Sequence, residues 1–232
     1  RSTLFPYTTL FRSFALSLAP IVLALLLNEV RKPGLKKAMQ TISFLPYFVS
    51  TVVIVSMLNN FLSPSTGMLN NLRKSMGLET VYYLGLPQYF RGVNYISGVW
   101  QMMGWNSVVY ISALTAVEQE MYEAAMVDGA SRLQRLWHIT VPSIRMTIAI
   151  MLTLQVGNLF AANVEKVLLL QNDLNLSVSE LLPTFVYKQG LVNGKYSYAT
   201  AAGLFTSVVS CLLVVLANWG AKKISSSEMG VF

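Results

Sequence analysis

An all-α, polytopic membrane bundle is the fold class this sequence predicts, and three observations carry the prediction. Only 12% of the 232 residues are charged, about half the share found in soluble domains. The 54% that are hydrophobic gather into runs close to the ~20 residues a helix needs to cross a bilayer. The period-2 alternation of a membrane β-barrel is absent. A net charge of +7 does not make nucleic acid the partner, because the Lys and Arg residues sit in short clusters beside apolar runs, where they orient spans. The lone Cys211 lies inside an apolar run. It offers neither a disulfide framework nor a thiolate metal site, and it is expected to pack.

The elements follow in order. Thr3–Ser13 reads TLFPYTTLFRS, the conceptual translation of a sequencing-library adapter, so residues 1–13 are expected to lie outside the fold and 14–232 to form the transmembrane domain. The first apolar run, Phe14–Leu27, is shorter than a full span and reads as a truncated one. Ile42–Leu62, Val93–Val117, Ile144–Val164 and Thr200–Gly220 each approach bilayer length, which makes about five helices. One side of the membrane collects Arg31, Lys32, Lys36, Lys37, Arg132, Arg135, Arg145, Lys222 and Lys223. The other carries Arg73, Lys74, Arg91, Lys166, Lys188 and Lys195 over longer loops. The bias places the first set, and with it the C-terminus, in the cytoplasm. Tyr82, Tyr83, Tyr89, Tyr95, Tyr196 and Tyr198 cluster near span ends on the opposite side, as interfacial anchors or as platforms for a sugar ring.

Between two spans, 118–142 is too polar to cross a membrane and holds two short helical patterns. Val117, Met121 and Ala125 share one face of the first, with Glu118, Glu120 and Glu123 mostly elsewhere. Ala124 and Ala125 offer a small surface that another protein's backbone can approach closely. Gly129 is a natural break, since glycine adopts turn conformations that other residues resist. Ser131 and Gln134 fit an S-x-x-Q capping box opening the second helix. Leu133, Leu136, Trp137 and Val141 form its apolar stripe, with Arg132, Arg135 and His138 largely off it. Pro142 suits the first turn of the next span, where a missing N–H costs little. An amphipathic loop lying on the membrane surface would also explain the helices, though not the whole pattern of residues at fixed spacing. His138 has no His, Cys or acidic partner at ligand spacing and is not a metal site.

Glu123-Ala124-Ala125, three residues, Gly129, nine residues, then Ile139-Thr140-Val141-Pro142 resembles the EAA loop of the inner-membrane permease subunits of ABC importers, with Val141 where that family usually has Leu. Asn28-Glu29, Phe44-Leu45-Pro46-Tyr47, Ser63-Pro64 with Gly67, and Asn70 look like the carbohydrate branch of these permeases. So do Gly157-Asn158-Leu159-Phe160, Tyr187 with Gly190-Leu191, and Tyr196-Ser197-Tyr198-Ala199-Thr200-Ala201, while Ala217-Asn218-Trp219 fits its oligosaccharide or polysaccharide subgroup. The resemblance implies a maltose-transporter-like, type I importer fold in a bacterial cytoplasmic membrane, usually with six spans. It implies a second, unlike permease subunit, an ATPase dimer that carries ATP and Mg, and an extracytoplasmic solute-binding protein. It also implies that Glu123, Ala124, Ala125, Asp128, Gly129, Ile139 and Pro142 couple to the ATPase and do no covalent chemistry.

No G-x-x-x-x-G-K-[ST] sequence occurs in the chain, so a phosphate-cradling P-loop is absent and the motor belongs on a partner. The interiors of the complete spans lack Asp, Glu, Lys and Arg. Ion-coupled carriers, the main alternative, generally need such groups at membrane depth. A membrane-embedded enzyme would want an intramembrane His, Asp or Ser constellation, and none is visible. Gln101, Trp105 and Asn106 on one span, with Gln155 and Asn158 at i, i+3 on another, combine amides with an aromatic face as sugar recognition does. They are candidates for the solute path, or alternatively for hydrogen-bonded packing between helices.

Overall fold

The computed structural model describes residues 7–30, 32–158 and 163–224, with side chains described between 17 and 220. Arg31, Leu159 and Phe160 lie outside these residues, as do the side chains of Phe14, Lys222 and Lys223. The described chain is helical: α1 Tyr7–Asn28, α2 Pro33–Phe48, α3 Thr51–Leu62, α4 Met68–Ser75, α5 Pro87–Thr115, α6 Gln119–Val127 and α7 Arg132–Arg135. A π-helical turn, Leu136–Thr140, leads into α8 Val141–Ser143 and α9 Arg145–Gly157. Then come α10 Val164–Leu170, α11 Leu176–Ser179, α12 Leu182–Tyr187, a second π-helical turn Lys188–Val192, and α13 Tyr196–Ile224. The first helix begins at Tyr7, ahead of the apolar run at Phe14, so the helix reaches into the segment expected to stand apart from the fold.

The structure breaks two of the predicted spans. Among the described residues, only Tyr196–Gly220 is by itself long and apolar enough to cross a membrane. Ile42–Leu62 is not one helix: α2 ends at Phe48, and α3 restarts behind Ser50, whose Oγ accepts the Val53 N–H as an N-cap. Within Ile144–Val164, α9 runs Arg145–Gly157 and 159–162 lie outside the described residues; among those described, α9 passes as a span when joined, through a 60° bend, to Arg132–Ser143. Val93–Val117 does lie on a long helix, α5, but Asn94, Gln101 and Asn106 keep its mean hydropathy below that of α13.

Two compact units divide the chain. One gathers Arg1–Arg12, Tyr47–Gln101 and Asn158–Ser210. Its core is Val55, Leu62, Leu84, Phe90, Val167 and Leu170. Two buried amides fasten the loops around that core. The Asn70 side chain donates to the Ser63 and Val81 carbonyls at 3.0 Å and accepts the Val81 N–H at 2.8 Å. Asn175 donates to the Leu84 and Leu170 carbonyls at 2.8 and 3.0 Å. Buried polar groups must be paired in this way.

The other unit gathers Ser13–Pro46, Met102–Gly157 and Cys211–Phe232, with Ala24, Leu27, Tyr110, Ile111, Leu114 and Ile144 as its buried core. Here α5 approaches α2 so closely that a Cβ on Gly104 would overlap the Ser43 backbone. Small residues permit such approach between membrane helices.

Candidate functional site

The loop 118–142 is built by local rules that the sequence states openly. Helix α6 ends with Gly129 at φ +79°. The Gly129 N–H donates to Met126 O at 3.1 Å and the Ala130 N–H to Ala125 O at 2.9 Å. That is a Schellman end, which satisfies the last carbonyls of the helix and favours glycine in the left-handed region. Two residues on, α7 opens with the predicted capping box: the Gln134 N–H donates to Ser131 Oγ at 3.3 Å and the Ser131 N–H to Gln134 Oε1 at 2.7 Å.

Beyond α7 the structure departs from the expected single helix. The hydrogen-bond register widens to a π turn over Leu136–Thr140, closed by the Val141 N–H on Leu136 O. The shift falls just ahead of Pro142, which has no N–H to give to the ladder. Pro142 therefore sits in the short α8 before the bend, not in the first turn of the span. Ile144, at the bend, is fully buried in the core of its unit and anchors the loop there.

The extra residue of the π turn also splits the expected stripe. Leu136 and Val141 are half-buried, whereas Leu133 and Trp137 are 68% and 64% exposed. Met121, Met126 and Val127 on α6 are also exposed among the described residues. Glu123, Ala124, Asp128, Gly129 and Pro142 are exposed, and Ala125 and Ile139 are half-buried. Glu123 accepts a hydrogen bond from Gln119 Nε2 at 3.3 Å. Arg135 Nε is shielded and has no hydrogen-bond partner among the described residues. Tyr122, which sequence reasoning missed, joins the two helices: its hydroxyl lies 3.0 Å from Thr140 Oγ1, a buried atom on the far side of the turn. A contact across 18 residues leaves no local signal to read.

Gln101, Trp105 and Asn106 occupy successive turns of α5, with Trp105 exposed and both amides half-buried. Gln155 is half-buried near the end of α9, but Asn158 follows the helix in a turn, so the expected i, i+3 pair does not share one helix face. Gln101 and Asn158 fall in one unit; Trp105, Asn106 and Gln155 fall in the other. Among the described residues, no hydrogen bond is made by the side-chain amides of Gln101, Asn106, Gln155 or Asn158. Lys166, also unforeseen, is 3% exposed on α10, its Nζ 3.5 Å from the Asn94 carbonyl.

Residues 4–226 match the family described as binding-protein-dependent transport system inner membrane component. The protein LplB of Bacillus subtilis is 44% identical over 205 residues, which cover 88% of this chain and 64% of that one. YteP, a polygalacturonan/rhamnogalacturonan transport system permease protein of the same organism, is 42% identical over 224 residues, covering 94% and 69%. The chain thus spans about two thirds of the length of these curated relatives. Among solved structures, the bacterial alginate ABC transporter in complex with an alginate pentasaccharide-bound periplasmic protein superposes with a TM-score of 0.90 at 38% identity, covering 97% of this chain and 78% of its own.

Proposed function

The chain belongs to the family of binding-protein-dependent transport system inner membrane components, and from that premise we propose that it is a permease subunit of an ATP-driven importer. Its cargo is an oligosaccharide or polysaccharide fragment, and an acidic one: YteP is named for polygalacturonan and rhamnogalacturonan transport, and the superposed transporter for alginate. The chain is not an enzyme. ATP and Mg are bound by a separate ATPase dimer, a second, different permease completes the path, and an extracytoplasmic binding protein delivers the solute. Residues 14–232 form the permease domain in the cytoplasmic membrane of a bacterium, with the loop 118–142 and the C-terminus on the cytoplasmic side, as the Lys/Arg bias favours.

The observation that carries this reading is the set of exposed apolar side chains in the loop, Met121, Met126 and Val127 on α6, Leu133 on α7 and Trp137 in the π turn. Exposed apolar side chains concentrated in one loop suit a protein partner. Here the partner is the ATPase: Ala124 and Ala125 admit its backbone, Glu123 and Asp128 add charge at the rim, Gly129 sets the turn, and Ile139 and Pro142 carry the motion to the bend at Ile144. Gln101, Trp105, Asn106, Gln155 and Asn158 are assigned to the solute path; the four amides make no side-chain hydrogen bond among the described residues, which leaves them available to solute hydroxyls. The test is the complete transporter in proteoliposomes. Glu123→Lys or Gly129→Asp should uncouple ATP hydrolysis from uptake, with membrane insertion intact. Normal sugar-stimulated hydrolysis and uptake in both variants would remove the docking role.

A further inference from the structure

The second π turn and the head of α13 border an open cleft of about 550 Å³, within the ~300–1,000 Å³ range of ligand sites. Phe185 comes from α12, Gln189 from the π turn, Lys195 from the connecting turn, and Tyr196 and Tyr198 from α13. All of these residues belong to one unit. Its walls are fixed by backbone. Gly194 turns the chain at φ +69°, and the Lys195 N–H donates to Gln189 O at 2.9 Å, which holds these two lining residues together. Gly190 packs against α13 so tightly that a Cβ there would meet the Ala199 Cβ at 2.6 Å. The Phe185 and Tyr198 rings meet edge to face, with centroids 6.2 Å apart.

The charge in this cleft is available. Lys188 is engaged by Glu180 at 3.7 Å, and Lys166 is buried. Lys195 is exposed and has no ion-pair partner among the described residues. No Asp or Glu lines the cleft. A pyranose ring offers an apolar C–H face and a rim of hydroxyls, which match exposed tyrosine rings beside an amide; a uronate adds a carboxylate. Interfacial anchoring would account for the tyrosines, but not for a lysine and a glutamine lining the same cleft.

We propose that this cleft is an extracytoplasmic recognition site for a uronate residue of the incoming oligosaccharide, with Tyr196 and Tyr198 against the ring and Lys195 on the carboxylate. It rests on the importer reading and adds to it a place where the permease itself selects for acid. The test uses the assembled transporter in nanodiscs, without binding protein, titrated with trigalacturonate and with its uncharged methyl ester. Lys195→Gln should weaken trigalacturonate about fivefold, the scale of an exposed charge pair, and leave the ester unchanged; Lys195→Arg should restore the acid. Tyr198→Ala should weaken both.

Equal affinities in Lys195→Gln and wild type, an equal loss for acid and ester, or no trigalacturonate binding by the wild type would each overturn the site. So would a defect seen only when binding protein is added, which would make the cleft a protein-docking surface. Failure of the importer reading looks different: there, no sugar-loaded binding protein stimulates ATP hydrolysis in the wild type at all.

Discussion

Tyr122 shows how a single hydroxyl can matter to the proposed docking loop. The segment between α6 and α9 has few buried apolar contacts of its own, and its two helices touch the core chiefly through Ile144. The Tyr122–Thr140 hydrogen bond ties the first helix to the turn that precedes the bend. Tyr122→Phe keeps the ring and removes the hydroxyl, leaving Thr140 Oγ1 only the longer bond to Arg135 O at 3.4 Å. The expected loss is about 1 kcal/mol, too small to unfold the chain. Thermal unfolding of the purified transporter should shift by a few degrees at most. Sugar-stimulated ATP hydrolysis should fall more than basal hydrolysis, because the strained quantity is the relay between helix and bend. Equal falls in both would show that the hydroxyl serves stability alone.

At the scale of elements, the closest helix contact in the second unit is set by the absence of a side chain. Gly104 on α5 faces the Ser43 backbone of α2 with no room for a methyl group, and the neighbouring Ser107 Oγ turns inward onto Gly104 O at 2.6 Å. Gly104→Leu should drive the two helices apart and abolish recovery of the permease in a monodisperse complex. Gly92→Ala, on the same helix but with open space around it, should be recovered as wild type. Size-exclusion chromatography of the two variants separates a packing requirement from a general intolerance of α5.

Helices α2, α5, α6 and α7 together show what can be read from sequence and what cannot. The capping box at Ser131 and the break at Gly129 are legible because each involves residues within one turn, where chemistry fixes geometry. The Gly104–Ser43 approach and the Tyr122–Thr140 bond join residues distant in sequence, so only the fold reveals them. The span boundaries fail for a related reason. Hydropathy averages over a window and passes across Ser50 and Gly157, although Ser50 before Thr51-Val52-Val53 is an N-cap signal that a closer reading would have caught.

For the molecule as a whole, the energy source is the question on which function turns. A chain that carried its own ion coupling would need charged groups facing a cavity within the membrane. The candidate path residues are instead amides and one indole, which can contact neutral hydroxyls or a carboxylate but cannot exchange a proton near neutral pH. The buried cation that the structure does supply, Lys166, lies on the short α10 against the Asn94 carbonyl, not on a long apolar helix. The exposed apolar side chains of 118–142 fit the same proposal, since an ion-coupled carrier has no need of an ATPase-docking loop there. Vesicles holding the full transporter should therefore take up labelled oligosaccharide only with internal ATP, and an imposed proton or sodium gradient should not substitute. In the same vesicles, Trp105→Ala and Asn158→Ala should raise the loaded-binding-protein concentration needed for half-maximal stimulation while leaving basal hydrolysis unchanged. Uptake driven by an ion gradient without ATP would reverse the assignment of the motor to a partner chain. Unchanged stimulation in both variants would return those residues to a packing role.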